Sequence, residues 1–284
     1  MAIAKGTRRA RTWGAVVIAL VLTTALAFGQ TTPAAAGKVV AVNGIEMYYE
    51  STGQGEPLVL LHGFNASGEA WAGVVGEFAK HYRVVVPDLR GHGRSTNPAN
   101  RFTHRQSALD VFALLDELGI KQFKGMGIST GGMTLIHMAT QQASRVEAMV
   151  LIGATIYFPE QAREIMRKAT VESLTPAAYE RRRRTHKRGD EQIRALQQQF
   201  HEFKDSYDDM NFTGPYLSTI TARTLIVHGD RDQFFPVAIP VEMYRSIPNS
   251  LLWIIPRGGH VPIFDPLVPF TATSLKFLKG WDNQ

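Results

Sequence analysis

Residues 127–131 read Gly-Ile-Ser-Thr-Gly, and they join an apolar run of strand length to an apolar run of helix length. A sharp corner between a strand and a helix puts its central residue in a sparsely allowed backbone conformation and lifts the Oγ atom of Ser129 clear of the sheet. Glycines two residues away on either side leave room for that corner. The stretch predicts a nucleophilic serine, although a glycine-flanked serine is also typical of ordinary turns and helix caps.

Apolar runs of strand length alternate with helical patterns along the rest of the chain. The predicted strands are 39–42, 45–49, 58–61, 82–86, 122–128, 148–152, 224–227 and 251–255. The predicted helices are 69–80, 103–118, 130–142, 237–246 and 266–279. The first two strands read as a hairpin across Asn43-Gly44 and the others as a parallel sheet. This alternation predicts an α/β fold, with a mostly parallel, eight-stranded, doubly wound sheet and helices on both faces.

One segment, 157–219, interrupts the alternation. It contains no convincing strand, and its helix-forming stretches carry charged faces at 163–168, 177–184 and 193–203. We expect a helical lid inserted between two strands of a core made of 37–156 and 220–284. Over the carboxyl end of the sheet, such a lid would shape a substrate pocket and exclude water.

The first 36 residues have the three-part layout of a signal peptide. Four basic residues precede an apolar stretch, 13–28, and they are Lys5, Arg8, Arg9 and Arg11. Small residues at 34–36 fit a cleavage site, and those at 25–27 also fit. We expect an exported protein, periplasmic or extracellular, whose export route the Arg8-Arg9 pair leaves open. An uncleaved anchor is the alternative, but 16 residues fall short of the roughly 20 needed to span a bilayer.

Composition limits the classes of partner. The chain has 284 residues, 44% of them hydrophobic, which is enough for one large core. Its net charge of +6 falls by the four leader charges to +2, which weakens the case for a partner bound through basic charge. We expect a small-molecule substrate, no nucleic acid and no stable membrane span after leader removal. The basic run 181–188 has acidic neighbours and no interleaved aromatics, which favours a solvated helix face over a phosphate site. The absence of cysteine excludes disulfides and thiolate metal sites.

The segment His62-Gly63-Phe64-Asn65 follows the strand 58–61. Gly63 permits a tight turn that points the next backbone N–H into the site. The amide of Phe64 would then join the amide of Thr130 as an oxyanion hole, which stabilises the negative charge of an acyl-transfer intermediate. A plain loop with a buried His62 explains the same residues equally well.

A serine hydroxyl becomes a good nucleophile when an imidazole takes its proton and a carboxylate orients that imidazole. His260 is the predicted base, because it alone follows the last strand on a Gly-Gly loop. Asp230 and Asp232 both follow the strand 224–227, and we favour Asp232 because Asp230 is close enough to the strand end to cap the turn. The remaining candidates read as structural or solvated histidines: His92 in a loop, His137 inside a helix, and His186 and His201 on the lid.

Five motifs together resemble the α/β-hydrolase superfamily over residues 38–280. They are His62-Gly63, Asp88-x-Arg90-Gly91-x-Gly93-x-Ser95, Gly127-x-Ser129-x-Gly131-Gly132, Gly229-x-x-Asp232 and Gly259-His260. In that family the acid three residues after the glycine orients the histidine, which supports Asp232. Serine at the corner separates the chain from the dehalogenase and epoxide-hydrolase branches, which carry aspartate there. Thr130 departs from the family, where Met, Gln or Leu is common.

The resemblance implies hydrolysis of an ester, possibly a lactone, of a small to medium apolar acyl group. Ser129 would attack, His260 would move the proton, Asp232 would steady His260, and no metal or organic cofactor is required. The predicted pocket walls are Phe64, Tyr157, Phe158, Phe234 and Val261. The same parts also fit a carbon–carbon bond hydrolase, a cofactor-free perhydrolase, or a ligand-sensing protein without turnover.

Overall fold

The computed structural model describes residues 37–280, and the predicted signal peptide lies outside them. Its strands are β1 (Lys38–Val42), β2 (Ile45–Thr52), β3 (Pro57–Leu61), β4 (Arg83–Pro87), β5 (Phe123–Ile128), β6 (Val146–Ile152), β7 (Arg223–Gly229) and β8 (Ser250–Ile255). They form one eight-stranded sheet in the order β1-β2-β4-β3-β5-β6-β7-β8. The first two strands form the predicted hairpin, β2 is antiparallel to β4, and the other neighbours are parallel.

The α-helices within the described range are α1 (Ala72–Ala79), α2 (His104–Glu117), α3 (Thr130–Gln141), α4 (Glu160–Lys168), α5 (Pro176–Thr185), α6 (Gly189–Glu202), α7 (Gly214–Leu217), α8 (Ala238–Ser246) and α9 (Phe270–Leu278). A short 3₁₀ helix, Gly68–Trp71, precedes α1. The last helix begins four residues later than the sequence predicts. Pro269 is its N-cap, and a turn closed by the Val268 amide on the Asp265 carbonyl occupies the expected first turn.

Both faces of the sheet are buried, because successive side chains of a strand point to opposite sides. On β3, Val59 and Leu61 belong to the core that contains α2 and α3, whereas Leu58 and Leu60 belong to the core that contains α1 and α9. This burial on two faces explains why β3 is a continuous apolar run in the sequence. The predicted α/β sheet with helices on both faces is confirmed.

The insertion, residues 157–219, leaves the sheet after β6 and returns at β7 with α4 to α7. Its only departure from helix and loop in the described structure is a single β-bridge between Tyr157 and Asn211. The side chain of Asp209 fixes the end of the insertion to the first turn of α2. Its carboxylate accepts hydrogen bonds from the backbone amides of His104 and Arg105 at 2.7 and 3.0 Å. Between residues 37 and 280, none of the helices has the length and apolar character that crossing a membrane requires.

Candidate active site

Ser129 occupies the predicted strand-to-helix corner. It lies between the end of β5 and the start of α3. Its φ of 49° and ψ of −112° are a backbone conformation that residues other than glycine rarely adopt. A Cβ atom on Gly127 would lie 2.3 Å from the carbonyl carbon of Gly131, and one on Gly131 would lie 2.2 Å from the carbonyl oxygen of Leu61. Glycine is therefore required at both positions by close backbone approach.

The structure brings Ser129, His260 and Asp232 into direct contact. His260 Nε2 lies 3.0 Å from the Ser129 Oγ atom, and His260 Nδ1 lies 2.8 Å from Asp232 Oδ2. An ionised carboxylate only accepts hydrogen bonds, so the His260 Nδ1–H donates to it and Nε2 is left to accept the serine hydroxyl proton. This is the tautomer that a histidine base needs.

The Asp232 carboxylate is fully buried and accepts further hydrogen bonds besides the one from His260. Its Oδ1 atom accepts hydrogen bonds from the amides of Phe234 and Phe235 at 2.7 and 3.2 Å. His228, fully buried on β7, lies 3.7 Å from Asp232 Oδ2, and its Nε2–H donates to the Phe235 carbonyl at 2.9 Å. Burial lowers the pKa of His228, which favours a neutral ring beneath the carboxylate. Asp230 instead points toward Arg231, 3.9 Å away.

His62 holds the loop that carries Phe64. The ring is fully buried, and its Nε2 atom accepts a hydrogen bond from the Leu89 amide at 2.9 Å. Its Nδ1–H therefore donates to the Gly63 carbonyl at 2.8 Å. Burial is the main cause that lowers the pKa of His62. The buried His62 expected of a plain loop is present, and the oxyanion role of the Phe64 amide stays a prediction.

A cavity of about 380 Å³ opens onto Ser129 and His260. This volume is in the range of small-molecule sites. Seven of its 18 lining residues are phenylalanines: Phe64, Phe158, Phe200, Phe203, Phe234, Phe235 and Phe264. Thr130 and Val261 also line it, and within the described chain no Asp, Glu, Lys or Arg side chain does. The cavity is thus suited to an apolar group.

Four of the five predicted wall residues line this cavity, and Tyr157 does not. Tyr157 pairs in extended conformation with Asn211, and its hydroxyl donates to Glu242 Oε2 at 3.4 Å. Neighbouring side chains of an extended segment point to opposite sides. Phe158 accordingly faces the cavity while Tyr157 faces α8, and the expectation for Tyr157 is corrected.

Sequence reasoning missed three of the four wall residues that the insertion contributes. Phe200, Phe203 and Met166 line the cavity together with Phe158. A signal was present, because Ile193, Leu196, Phe200 and Phe203 form an apolar stripe at helical spacing along α6 and its end. That stripe predicts a buried face, but it does not say which of its residues reach the cavity.

His186 is buried, at 2% exposure, and the expectation of a solvated ring is wrong. Its Nδ1 atom accepts a hydrogen bond from the Gly93 amide at 3.1 Å, and burial lowers the pKa of the ring to about 4. His201 is half-buried and lies 3.0 Å from the Met166 carbonyl. His92 and His137 have the expected structural roles, because each donates to a backbone carbonyl, of Arg90 and Asp209 respectively.

A family model, related sequences and solved structures all match this chain as an alpha/beta hydrolase fold. The model of the alpha/beta hydrolase fold matches residues 56–211. A 2-hydroxy-6-oxo-6-(2'-aminophenyl)hexa-2,4-dienoic acid hydrolase from Metapseudomonas resinovorans is 26% identical over 85% of this chain and 90% of that protein. The human serine hydrolase BPHL is 29% identical over 83% of each chain. The crystal structure of the enol-lactonase from Burkholderia xenovorans LB400 superposes with a TM-score of 0.71 at 26% identity, covering 85% of this chain and 100% of that one.

Proposed function

Because this chain belongs to the alpha/beta hydrolase fold family, we propose that it is a serine hydrolase that cleaves the carboxylic ester, or the lactone, of a small to medium apolar substrate. One observation carries the proposal. The hydrogen-bonded series Asp232, His260 and Ser129 ends at an apolar cavity. A nucleophile, its base and the group that orients the base are thus aligned where an apolar acyl group would bind.

In the proposed acylation, Ser129 Oγ attacks the ester carbonyl carbon as His260 Nε2 takes the hydroxyl proton. The negative charge that develops on the carbonyl oxygen would be stabilised by the amides of Phe64 and Thr130. Thr130 begins α3, so its N–H has no acceptor within that helix and lies at the positive end of the helix dipole. His260 then gives the proton to the departing alcohol, and Ser129 carries the acyl group.

In the proposed deacylation, water attacks the acyl-enzyme and His260 takes a proton from it. The tetrahedral intermediate collapses, the Ser129 oxygen recovers the proton, and the carboxylic acid leaves. Asp232 stays ionised throughout and stabilises the transient charge on His260. These steps balance with ester and water alone.

The chemistry of the cavity supports a neutral substrate over an acidic one. The relative from Metapseudomonas resinovorans is named for a dienoic acid, which carries a carboxylate. In the described part of this chain, the cavity presents mostly phenylalanine, methionine and aliphatic side chains, with Asn65 and Thr130 as polar neighbours of Ser129 and His260, and no Lys or Arg. Burying an unpaired carboxylate there would cost several kcal/mol or more, whereas an ester or lactone loses little on transfer.

The proposal is tested with p-nitrophenyl acetate, butyrate and octanoate on purified protein. We expect turnover by the wild type and a loss of about four orders of magnitude or more in kcat for Ser129→Ala. Ser144→Ala, an exposed serine on a surface turn, is the matched control and should retain wild-type rates. Equal rates for Ser129→Ala and the wild type would remove Ser129 from the mechanism. A wild type inert toward all three esters, with a dienoate cleaved instead, would favour the carbon–carbon reaction.

We also propose that the enzyme acts outside the cytoplasm, on the strength of the predicted leader in residues 1–36. Intact-mass analysis of the exported protein should show that about the first 36 residues have been lost. Full-length protein in the membrane fraction would instead support an anchor.

A further inference from the structure

Arg163 is 5% exposed, although it lies on a helix with five charged residues among nine. The sequence places it at the start of a charged, solvated face. Arginine is almost never fully buried unless it is paired. In the described structure, however, no carboxylate lies within ion-pair distance of Arg163. Hydrogen bonds to uncharged groups must therefore satisfy the buried guanidinium.

The guanidinium is surrounded by backbone carbonyls. Its Nε atom donates to the Phe158 oxygen at 3.0 Å, Nη1 donates to the Phe203 and Lys204 oxygens at 3.4 and 2.5 Å, and Nη2 donates to the Ser206 oxygen at 2.9 Å. Two of these oxygens, those of Phe203 and Lys204, lie in the 3₁₀ turn that ends α6, and a third is on its C-cap residue Ser206, where the helix dipole is negative. One side chain thus joins the start of the insertion to the turn that follows α6.

The two phenylalanines whose carbonyls Arg163 binds are themselves cavity walls. The rings of Phe158 and Phe203 stack, with centroids 5.6 Å apart and planes 23° apart, and both line the cavity. Met166, one helical turn after Arg163, lines the same wall. The guanidinium therefore bridges the two segments that carry these rings, which are 45 residues apart in the sequence.

We propose that Arg163 determines the acyl-chain selectivity of the site by holding Phe158 and Phe203 in contact, so that the cavity ends at this ring pair. The inference rests on the proposed ester hydrolysis. Arg163 is a positioning residue, since it acts through the two rings. An acetyl group needs only the Ser129 end of the cavity, whereas an octanoyl chain needs the space that the ring pair closes.

Lysine cannot replace the arginine in this role. A guanidinium presents five donors in a rigid, planar fork, whereas an ammonium presents three from one point and cannot reach carbonyls on both segments. In Arg163→Lys we expect the rings to separate and the octanoate-to-acetate ratio of kcat/KM to rise about tenfold, the scale on which a pocket discriminates added methylenes. The change should appear mainly in KM for octanoate, with kcat for acetate within about twofold.

The matched control is Arg167→Lys. Arg167 lies one turn further along α4, is exposed, and pairs with Glu160 at 2.6 Å. Its octanoate-to-acetate ratio should stay within about twofold of the wild type. An unchanged ratio in Arg163→Lys, with an active wild type, would overturn the inference and leave the proposed function intact. A wild type without ester turnover would remove the proposed function itself.

A double-mutant cycle tests whether Arg163 affects the selectivity through the Phe203 ring. In a Phe203→Ala background, Arg163→Lys should change the ratio much less than it does alone, because the ring it positions is gone. A shift of full size in that background would overturn the inference. Circular dichroism and thermal melting establish folding. If both Arg163→Lys and Arg163→Gln fail to fold while Arg167→Lys folds, Arg163 is needed for folding and the claim of selectivity is overturned.

Discussion

The Nδ1 atom of His186 accepts a hydrogen bond from the Gly93 backbone amide, and this bond connects the insertion to the core. Gly93 also accepts a hydrogen bond from the insertion, because the Lys187 amide donates to its carbonyl at 3.0 Å. Gln192 adds a bond from its Nε2 atom to the Gly91 carbonyl at 2.8 Å. An imidazole nitrogen accepts only while it is unprotonated. The attachment of the insertion therefore depends on a neutral His186.

The first prediction concerns pH. Burial lowers the pKa of folded His186 to about 4, whereas an unfolded histidine titrates near 6.5. Between these values the unfolded state binds more protons, so the free energy of unfolding falls as the pH falls. His186→Asn, whose Oδ1 can accept the same bond, should reduce this slope by up to about 1.4 kcal/mol per pH unit near pH 5. Denaturant titrations at pH 7, 6, 5 and 4.5 measure it.

Part of the slope should remain in that variant, because burial also lowers the pKa of His137 to about 4. His137→Asn combined with His186→Asn should therefore flatten the profile further. A slope that neither substitution changes would show that these rings do not link protonation to stability.

The second prediction separates the two aspartates after β7. Asp232 accepts the His260 Nδ1–H and two backbone amides, whereas Asp230 lies beside Arg231. Asp232→Asn should lower kcat by about 10⁴-fold, because an amide in that position stabilises the wrong histidine tautomer. Asp230→Asn, the matched control, should stay within a few-fold of the wild type. Ester turnover measures both, and the reverse ranking would assign the role to Asp230.

Local patterns were sufficient for the sheet and for the three residues of the site. Gly127 and Gly131 indicate a close backbone approach that only glycine allows. The Gly-Gly loop before His260 likewise indicates a tight turn after the last strand. These signals lie within a few residues of the groups they position. The placement of Ser129 and His260 follows from them, whereas the choice of Asp232 over Asp230 also rests on the family resemblance.

The burial of polar residues in the insertion was not predictable in this way. Arg163 reads as part of a charged face, yet its partners at Phe203, Lys204 and Ser206 are some 40 residues away in sequence. His186 meets Gly93 across 93 residues. A periodic pattern within one helix or strand cannot predict contacts between residues so far apart in the sequence. Tyr157 and Phe158 show a related limit, because a shift of one position in an extended segment reverses the side that a residue faces.

The third prediction concerns strain at Ser129. Its φ of 49° with ψ of −112° suits glycine better than any other residue. Ser129→Gly and Ser129→Ala should both be inactive, but the glycine variant should be more stable than the alanine variant by about 1 kcal/mol. Ser144 does not have a positive φ. At that position the alanine variant should therefore be more stable than the glycine variant. Thermal melting of the four variants measures this, and a less stable Ser129→Gly would contradict it.

The fourth prediction uses glycines that differ only in their surroundings. A methyl group at Gly131 would meet the Leu61 carbonyl oxygen at 2.2 Å and its carbonyl carbon at 2.5 Å, and both Leu61 atoms belong to the backbone of β3. Gly131→Ala should therefore destabilise the fold by about 3 kcal/mol and displace Ser129. Gly73 and Gly76 lie on the exposed side of α1 with no atom within 4 Å of an added Cβ. Alanine at either position should stabilise by about 0.5–1 kcal/mol, because it restricts the unfolded chain. Chemical unfolding of the three variants, with ester turnover as a second readout, tests the contrast. A Gly131→Ala protein with wild-type stability and activity would show that the corner at Ser129 tolerates a side chain there.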